Sequence, residues 1–134
     1  MLHLNKHFLY PKLDEIKLLN FDKQLDVLCF CETFLNDSFS DHELSINNYN
    51  MFRRDRCAIG AGRVIYVKDI YHCTRRSDLE SISLECICLE IKQQYLNHYY
   101  YAIVIGHHLV MFIGSLTFQT LCKNVFLSKK NVLF

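Results

Sequence analysis

The sequence predicts an α/β fold with sandwich geometry rather than a doubly wound sheet. Residues 25–31 (LDVLCFC) form a short run, apolar apart from Asp26. It is bounded by Asp22 and Lys23 on one side and by Asn36 and Asp37 on the other. Such a run reads as a strand buried on both faces. A strand–helix–strand opening is then followed by several strands with short connections, which favours a sandwich. Hydrophobic residues make up 51% of the 134 residues. That is enough to bury a core in one domain and argues against wholesale disorder.

The elements follow in order. Leu2–Asn5 reads as a short first strand. Pro11 suits the first turn of a helix, where its missing N–H needs no partner. That helix is expected to reach about Asn20, with Leu9, Leu13, Ile16 and Leu19 on its buried face. Residues 25–31 come next. Residues 36–48 are polar and turn-rich, with Asp37, Ser38, Ser40 and Asp41 as candidate caps. Further strands are expected over Tyr49–Arg54, Arg63–Lys68, residues 70–74, residues 84–91 and Tyr99–Ile105, and a short helix over residues 116–122. The 25–31 strand should lie between Leu2–Asn5 and Arg63–Lys68, because its apolar pattern is the most continuous. The chain shows neither an internal repeat nor a low-complexity linker.

A net charge of +1 with neutral histidines sets up no global basic field for nucleic acid. The seven cysteines are odd in number, and residues 1–6 lack an apolar signal core and a cleavage site. An intracellular, reducing compartment (nucleus or cytoplasm) is expected, not secretion. Cys29 and Cys31, like Cys86 and Cys88, lie two apart in apolar strands, so each pair shares one side of its sheet. They read as small core residues rather than zinc ligands, which usually sit C-x₂₋₄-C in a turn. Arg53, Arg54 and Arg56 read as solvated strand-edge charges, with Arg53 and Arg54 on opposite faces. Lys68, Arg75 and Arg76 read as surface charges.

The stretch 99–122 carries no formal charge and is nearly long enough for a membrane span, with Lys123, Lys129 and Lys130 after it. His107 and His108 near its middle favour a buried strand plus a helix instead, so membrane association is not expected. The two histidines would face opposite ways on a strand and would not chelate together.

Several segments, taken together, resemble a known family. DVLCFCETFL, residues 26–35, is similar to "D-V-L-x-L-x-E-T-W-L". Asn5 ahead of Tyr10-Pro11-Lys12-Leu13-Asp14-Glu15-Ile16 is similar to "N-x-x-S-L-x-P-K-L-D-E-I", with Phe8 in place of the Ser. YNMFRRDR, residues 49–56, is similar to "G-Y-x-x-F-R-x-D-R". GAGRVIYVK, residues 60–68, is similar to "G-G-G-V-A-I-Y-V-K", with Ala61 for a Gly and Arg63 entering the apolar strand. LECICLEI, residues 84–91, is similar to "L-E-x-L-x-V-E-I". All five stand in the order of the endonuclease/exonuclease/phosphatase family, in its non-LTR retrotransposon branch.

The resemblance implies the first half of an α/β sandwich over residues 1–92, followed by a divergent apolar tail over residues 93–134. It implies metal-dependent phosphodiester hydrolysis of DNA, with Glu32 as the acidic ligand of Mg²⁺ or Mn²⁺ and Asn5 helping to hold metal and phosphate. Residues 103–109 (IVIGHHL) stand where the family has a strand ending in "Y-R-P-P". The chain carries no "G-D-F-N" segment, no later metal-binding Asp and no C-terminal "S-D-H" bearing the general-base His. The expectation is therefore a partial domain, inactive alone, holding Mg²⁺ weakly, with Asn5 and Glu32 converging at one end of neighbouring strands. The alternative is a non-catalytic remnant or interaction protein, with a membrane-associated C-terminal segment as a variant of it.

Overall fold

The computed structural model describes residues 2–5, 9–55, 62–80, 86–92, 99–105 and 108–113; for 2–5, 99–105 and 108–113 it describes the backbone course. The elements are β1 (Leu2–Asn5), a 3₁₀ turn (Tyr10–Lys12), α1 (Leu13–Lys23), β2 (Val27–Cys31) and α2 (Asp41–Leu44). Then come β3 (Tyr49–Arg54), β4 (Arg63–Lys68), β5 (His72–Arg75), a 3₁₀ turn (Ser77–Leu79), β6 (Cys86–Lys92), β7 (Tyr99–Ile105) and β8 (His108–Ile113). They build two four-stranded sheets, ordered β1-β2-β4-β3 and β5-β6-β7-β8. Only β1 and β2 run parallel among these pairs; the others are antiparallel.

β2 lies between β1 and β4, as its apolar pattern requires, and all five of its residues are buried. Alternation splits them between two cores. Leu28 and Phe30 join Val64 and Tyr66 against Leu9, Leu13, Ile16, Leu44 and Ile46. Val27, Cys29 and Cys31 join Ile65 and Val67 against Ile87, Leu89 and Ile91 of the second sheet. The result is a helix layer, a mixed sheet and an antiparallel sheet, an α/β arrangement.

Local sequence explains the rest of the helix layer. Acidic Asp14 and Glu15 sit in the first turn of α1 and Lys23 in the last, matching the helix dipole. Gln24 ends the helix in the left-handed conformation (φ 50°), its N–H bonded to the Asn20 carbonyl at 2.7 Å. Among the candidate caps, Ser40 forms a reciprocal box with Glu43. The Ser40 N–H donates to Glu43 Oε2 (2.8 Å), and the Glu43 N–H donates to Ser40 Oγ (3.3 Å).

Several expectations are corrected. Leu19 is not on the buried face; it is 39% exposed. Asn20, one turn beyond Ile16, takes the inward position, and its Oδ1 accepts from the Leu25 N–H (3.2 Å) and the Tyr49 hydroxyl (3.0 Å). The strand expected over residues 70–74 is His72–Arg75, because a turn closed by the Tyr71 N–H on the Lys68 carbonyl (3.1 Å) uses the preceding residues.

The arginines are not simply solvated. Arg53 donates to the Phe39 and Asn36 carbonyls (2.7 and 3.0 Å) and pairs with Asp41 and Asp55. Arg54, on the opposite face, donates to the Cys86 carbonyl at 2.9 Å. Arg75 pairs with Glu80, Arg76 with Asp78 and Glu90, and Lys68 with Asp26. Half-buried cations at sheet edges need such partners, because desolvation without them is costly. Arg56, His107 and the helix expected over residues 116–122 lie outside the described residues. No helix among the described residues is long and apolar enough to cross a membrane.

The cysteine pairs are core residues: Cys29, Cys31, Cys86 and Cys88 are buried thiols. Burial, reinforced by neighbouring Cys31, pushes the Cys29 thiol up to about 12, and burial does the same to Cys73. A thiol whose pKa is raised on folding leaves stability intact below its ordinary value of 9.0. That stability is lost as pH climbs from there toward the raised value. Because the thiolate is the reactive form, Cys29 in the folded chain is expected to react with iodoacetamide at pH 8 roughly a thousandfold more slowly than a free thiol. Denaturing urea should restore the ordinary rate. Peptide mapping that finds Cys29 labelled at the free-thiol rate without urea would contradict its place in the inter-sheet core.

Candidate functional site

The parallel register of β1 and β2 sets Asn5 opposite Cys31, so both strands finish together at their C-terminal ends. Glu32 is the next residue. Open α/β sheets place ligand-binding groups at such ends. The structure thus brings Asn5 and Glu32 to one strand end, although the direction of the Asn5 side chain lies outside the described residues.

The backbone beyond β2 is unusual. Glu32 and Phe34 both take left-handed conformations (φ 54° and 55°). Neither residue is Gly or Asn, so each costs of order 1–3 kcal/mol and needs the surroundings to impose it. Those surroundings are visible. The Thr33 N–H donates to the Gly62 carbonyl (3.4 Å), and the Thr33 carbonyl accepts from the Leu9 N–H (3.1 Å). Leu35, 3% exposed, anchors the far side in the helix-layer core. Gly62 itself has φ 70°, a conformation that suits a residue without Cβ. Thr33 is 1% exposed, and its Oγ1 is the one buried side-chain polar atom among the described residues that lacks a hydrogen-bond partner.

Arg63 completes the locus. Antiparallel pairing puts it directly opposite Cys31 on the face toward the second sheet, and it is 6% exposed. Burial raises the Cys31 thiol; the nearby Arg63 cation, which also hydrogen-bonds it, pulls the other way, and the Glu32 carboxylate pushes it up. A cation and an anion therefore both act on Cys31. In the sequence Arg63 stands out only as an intruder in an apolar strand. Its part in the site became visible through the β2–β4 register. Thr33 lay within the quoted motif without a role, and nothing in the sequence signalled the two left-handed residues.

The donors can be weighed against a divalent cation. A Glu carboxylate and an Asn carbonyl are hard oxygen ligands, the kind Mg²⁺ and Mn²⁺ prefer. They fit in kind and are few in number. Among the described residues no three His, Cys, Asp or Glu side chains gather as a metal group. The Arg63 guanidinium adds a fixed positive charge that works against a second cation. A scan of protein-family models finds no match to the chain, and a search of the curated proteins finds none.

Proposed function

We propose that this chain carries the first part of an endonuclease/exonuclease/phosphatase-type domain of non-LTR retrotransposon origin. The family reaction is metal-dependent phosphodiester hydrolysis of DNA. The observation that carries this reading is the pairing of Asn5 with Cys31, which sets Asn5 and Glu32 at one end of parallel neighbours. The layering of a helix, a mixed sheet and a second sheet is compatible with half of such a sandwich. Glu32 and Asn5 would hold Mg²⁺ or Mn²⁺. The bound ion would supply Lewis-acid stabilisation of charge on the phosphate. The backbone hydrogen bonds of Thr33 anchor the 32–34 segment from which the Glu32 side chain would reach the ion.

The same residues argue that the 134-residue chain does not turn over alone. General acid–base help is commonly worth about 10²–10⁴ in rate, and the family's C-terminal "S-D-H" that would carry it is not among the motifs of this chain. A site with one carboxylate and a nearby guanidinium should hold Mg²⁺ poorly. These losses act on one unit and are not summed. Supercoiled plasmid incubated with the purified chain is expected to be nicked at background rate, with or without Mg²⁺, and Glu32→Ala should change nothing. Nicking that requires both Mg²⁺ and Glu32 would overturn this expectation.

A second reading is favoured by a specific observation. Arg63, buried and hydrogen-bonded to Cys31, supplies a positive charge at the locus without any metal. That suits a non-catalytic protein that works through contacts. Mn²⁺-induced line broadening separates the two. Broadening centred on residues 31–33 and abolished by Glu32→Ala supports the metal-site reading. Its absence at millimolar Mn²⁺ leaves the contact reading.

A further inference from the structure

A groove of about 670 Å³ opens between the second half of α1 and the segment that joins α2 to β3. It lies at the start of β2, where the Lys68 N–H bonds the Asp26 carbonyl. Glu32 stands six residues further along, roughly 20 Å away at strand rise. The groove is therefore separate from the strand-end site and independent of the hydrolase reading.

Its chemistry is one-sided. No carboxylate lines it, while Lys17, Lys68 and His42 do. Lys68 Nζ is partly committed, 3.2 Å from Asp26 Oδ1 and 2.9 Å from the Gln24 carbonyl. Lys17 has no such ion pair among the described residues and is the cation left to face the groove. Asn20 Oδ1 is occupied by the Leu25 N–H and the Tyr49 hydroxyl. Those bonds fix which way the amide points, so its NH₂ remains as a donor. Carboxamides of Asn47 and Asn48 add further donors and acceptors on the opposite wall. A concavity with donors and cations and no anion selects a negatively charged ligand.

The aromatic lining narrows the class. Phe21 is 77% exposed at the rim, on a helix face that the core leaves uncovered. A planar base stacking on that ring would remove apolar surface from water, and base–aromatic stacking is sequence-tolerant and favourable. The volume lies within the range that small-molecule sites occupy, about 300–1,000 Å³. We propose that this groove binds a phosphate-bearing nucleoside, with Lys17 and the Asn20 amide on the phosphate and Phe21 under the base. Free nucleotide and the end of a single strand present the same chemistry.

The test is an NMR titration of the full chain with AMP, adenosine, inorganic phosphate and a single-stranded oligonucleotide. AMP should saturate below about 1 mM, shifting Lys17, Asn20, Phe21 and Asn48. Adenosine and phosphate should each bind at least about tenfold more weakly, since each lacks one of the two contacts. Lys17→Glu and Phe21→Ser should each weaken AMP by about tenfold. Both positions are on the open face of α1, so unchanged far-UV circular dichroism and urea midpoints will show that the fold persists. An oligonucleotide that binds about tenfold tighter than AMP, with the same dependence on Lys17, identifies a strand as the source. Equal or weaker binding identifies the free nucleotide. The proposal is overturned if no probe saturates, or if AMP binding survives both substitutions. Phosphate binding as tightly as AMP would overturn the role of Phe21.

Discussion

Phe30→Ala is expected to cost the chain a large share of its stability, read as a steep fall in the urea midpoint. Phe30 is fully buried in β2, on the face that meets the helix layer. Its ring packs edge-on against Tyr66, centroids 6.0 Å apart at 72°. Tyr66 is itself fully buried and donates its hydroxyl to the Leu44 carbonyl at 2.8 Å. One side chain thus props the contact between β2, β4 and α2. Truncating a buried Phe to Ala typically costs about 3–5 kcal/mol, the sum of lost transfer and of the cavity left behind. Domains of this size are stable by only about 5–15 kcal/mol, so the loss takes a large share of the total. Phe30→Leu, which keeps most of the volume, should cost under about 2 kcal/mol and retain a cooperative transition. Urea unfolding followed by circular dichroism reads both. An alanine variant whose midpoint barely moves would mean that β2 is not the centre of the core.

That centre was legible in the sequence because the 25–31 run shows a nearly unbroken apolar character that only a two-faced strand requires. β2 starts two residues later than the run, since Leu25 and Asp26 carry the chain from the αL residue Gln24 into the sheet. The opposite facing of Arg53 and Arg54 was also legible, from strand alternation alone. Their partners were not. Asp41 and Asp55 reach Arg53, and the Cys86 carbonyl reaches Arg54, through tertiary proximity that no local pattern encodes. Leu19 misled because helical spacing fits both it and Asn20. The polar residue turned inward, where its Oδ1 meets Leu25 and Tyr49, and Leu19 stays 39% exposed.

At the strand end, the position of Glu32 followed from its place after an apolar run, and its proximity to Asn5 followed once β1 and β2 paired in parallel. The left-handed turns at Glu32 and Phe34 had no sequence signal, because residues of that kind normally avoid them. They are imposed by bonds from Thr33 to Gly62 and Leu9, at long range in the chain. Local rules fail here at the same place where the candidate site lies, as they tend to where surroundings override propensity.

Glu80→Gln is expected to loosen the seam between the sheets. The Glu80 side chain is only 9% exposed. It takes both forks of Arg75, Nε to Oε1 and Nη2 to Oε2, each at 2.9 Å. It also lies 3.8 Å from Arg54 and accepts from the Cys88 N–H at 3.1 Å. Hydrogen bonding to Glu80 is the main reason the Arg75 guanidinium is held even more firmly protonated than usual. The two arginines in turn cross between sheets. Arg75 donates to the Arg53 carbonyl of β3 (2.9 Å), and Arg54 donates to the Cys86 carbonyl of β6. Glutamine keeps the shape and removes the charge, leaving two half-buried cations without their anion. Breaking a fully buried pair this way costs about 3–5 kcal/mol. Both arginines here are roughly a third exposed, and water screens part of that, so the expected loss is about 2 kcal/mol. A double-mutant cycle with Arg75→Ala isolates the pair itself, and a coupling of at least about 1 kcal/mol is expected. Amide exchange should speed up first along β5, whose pairing to β6 this seam supports. Additive losses, with no coupling and no faster exchange in β5, would reduce the seam to a surface contact of little consequence.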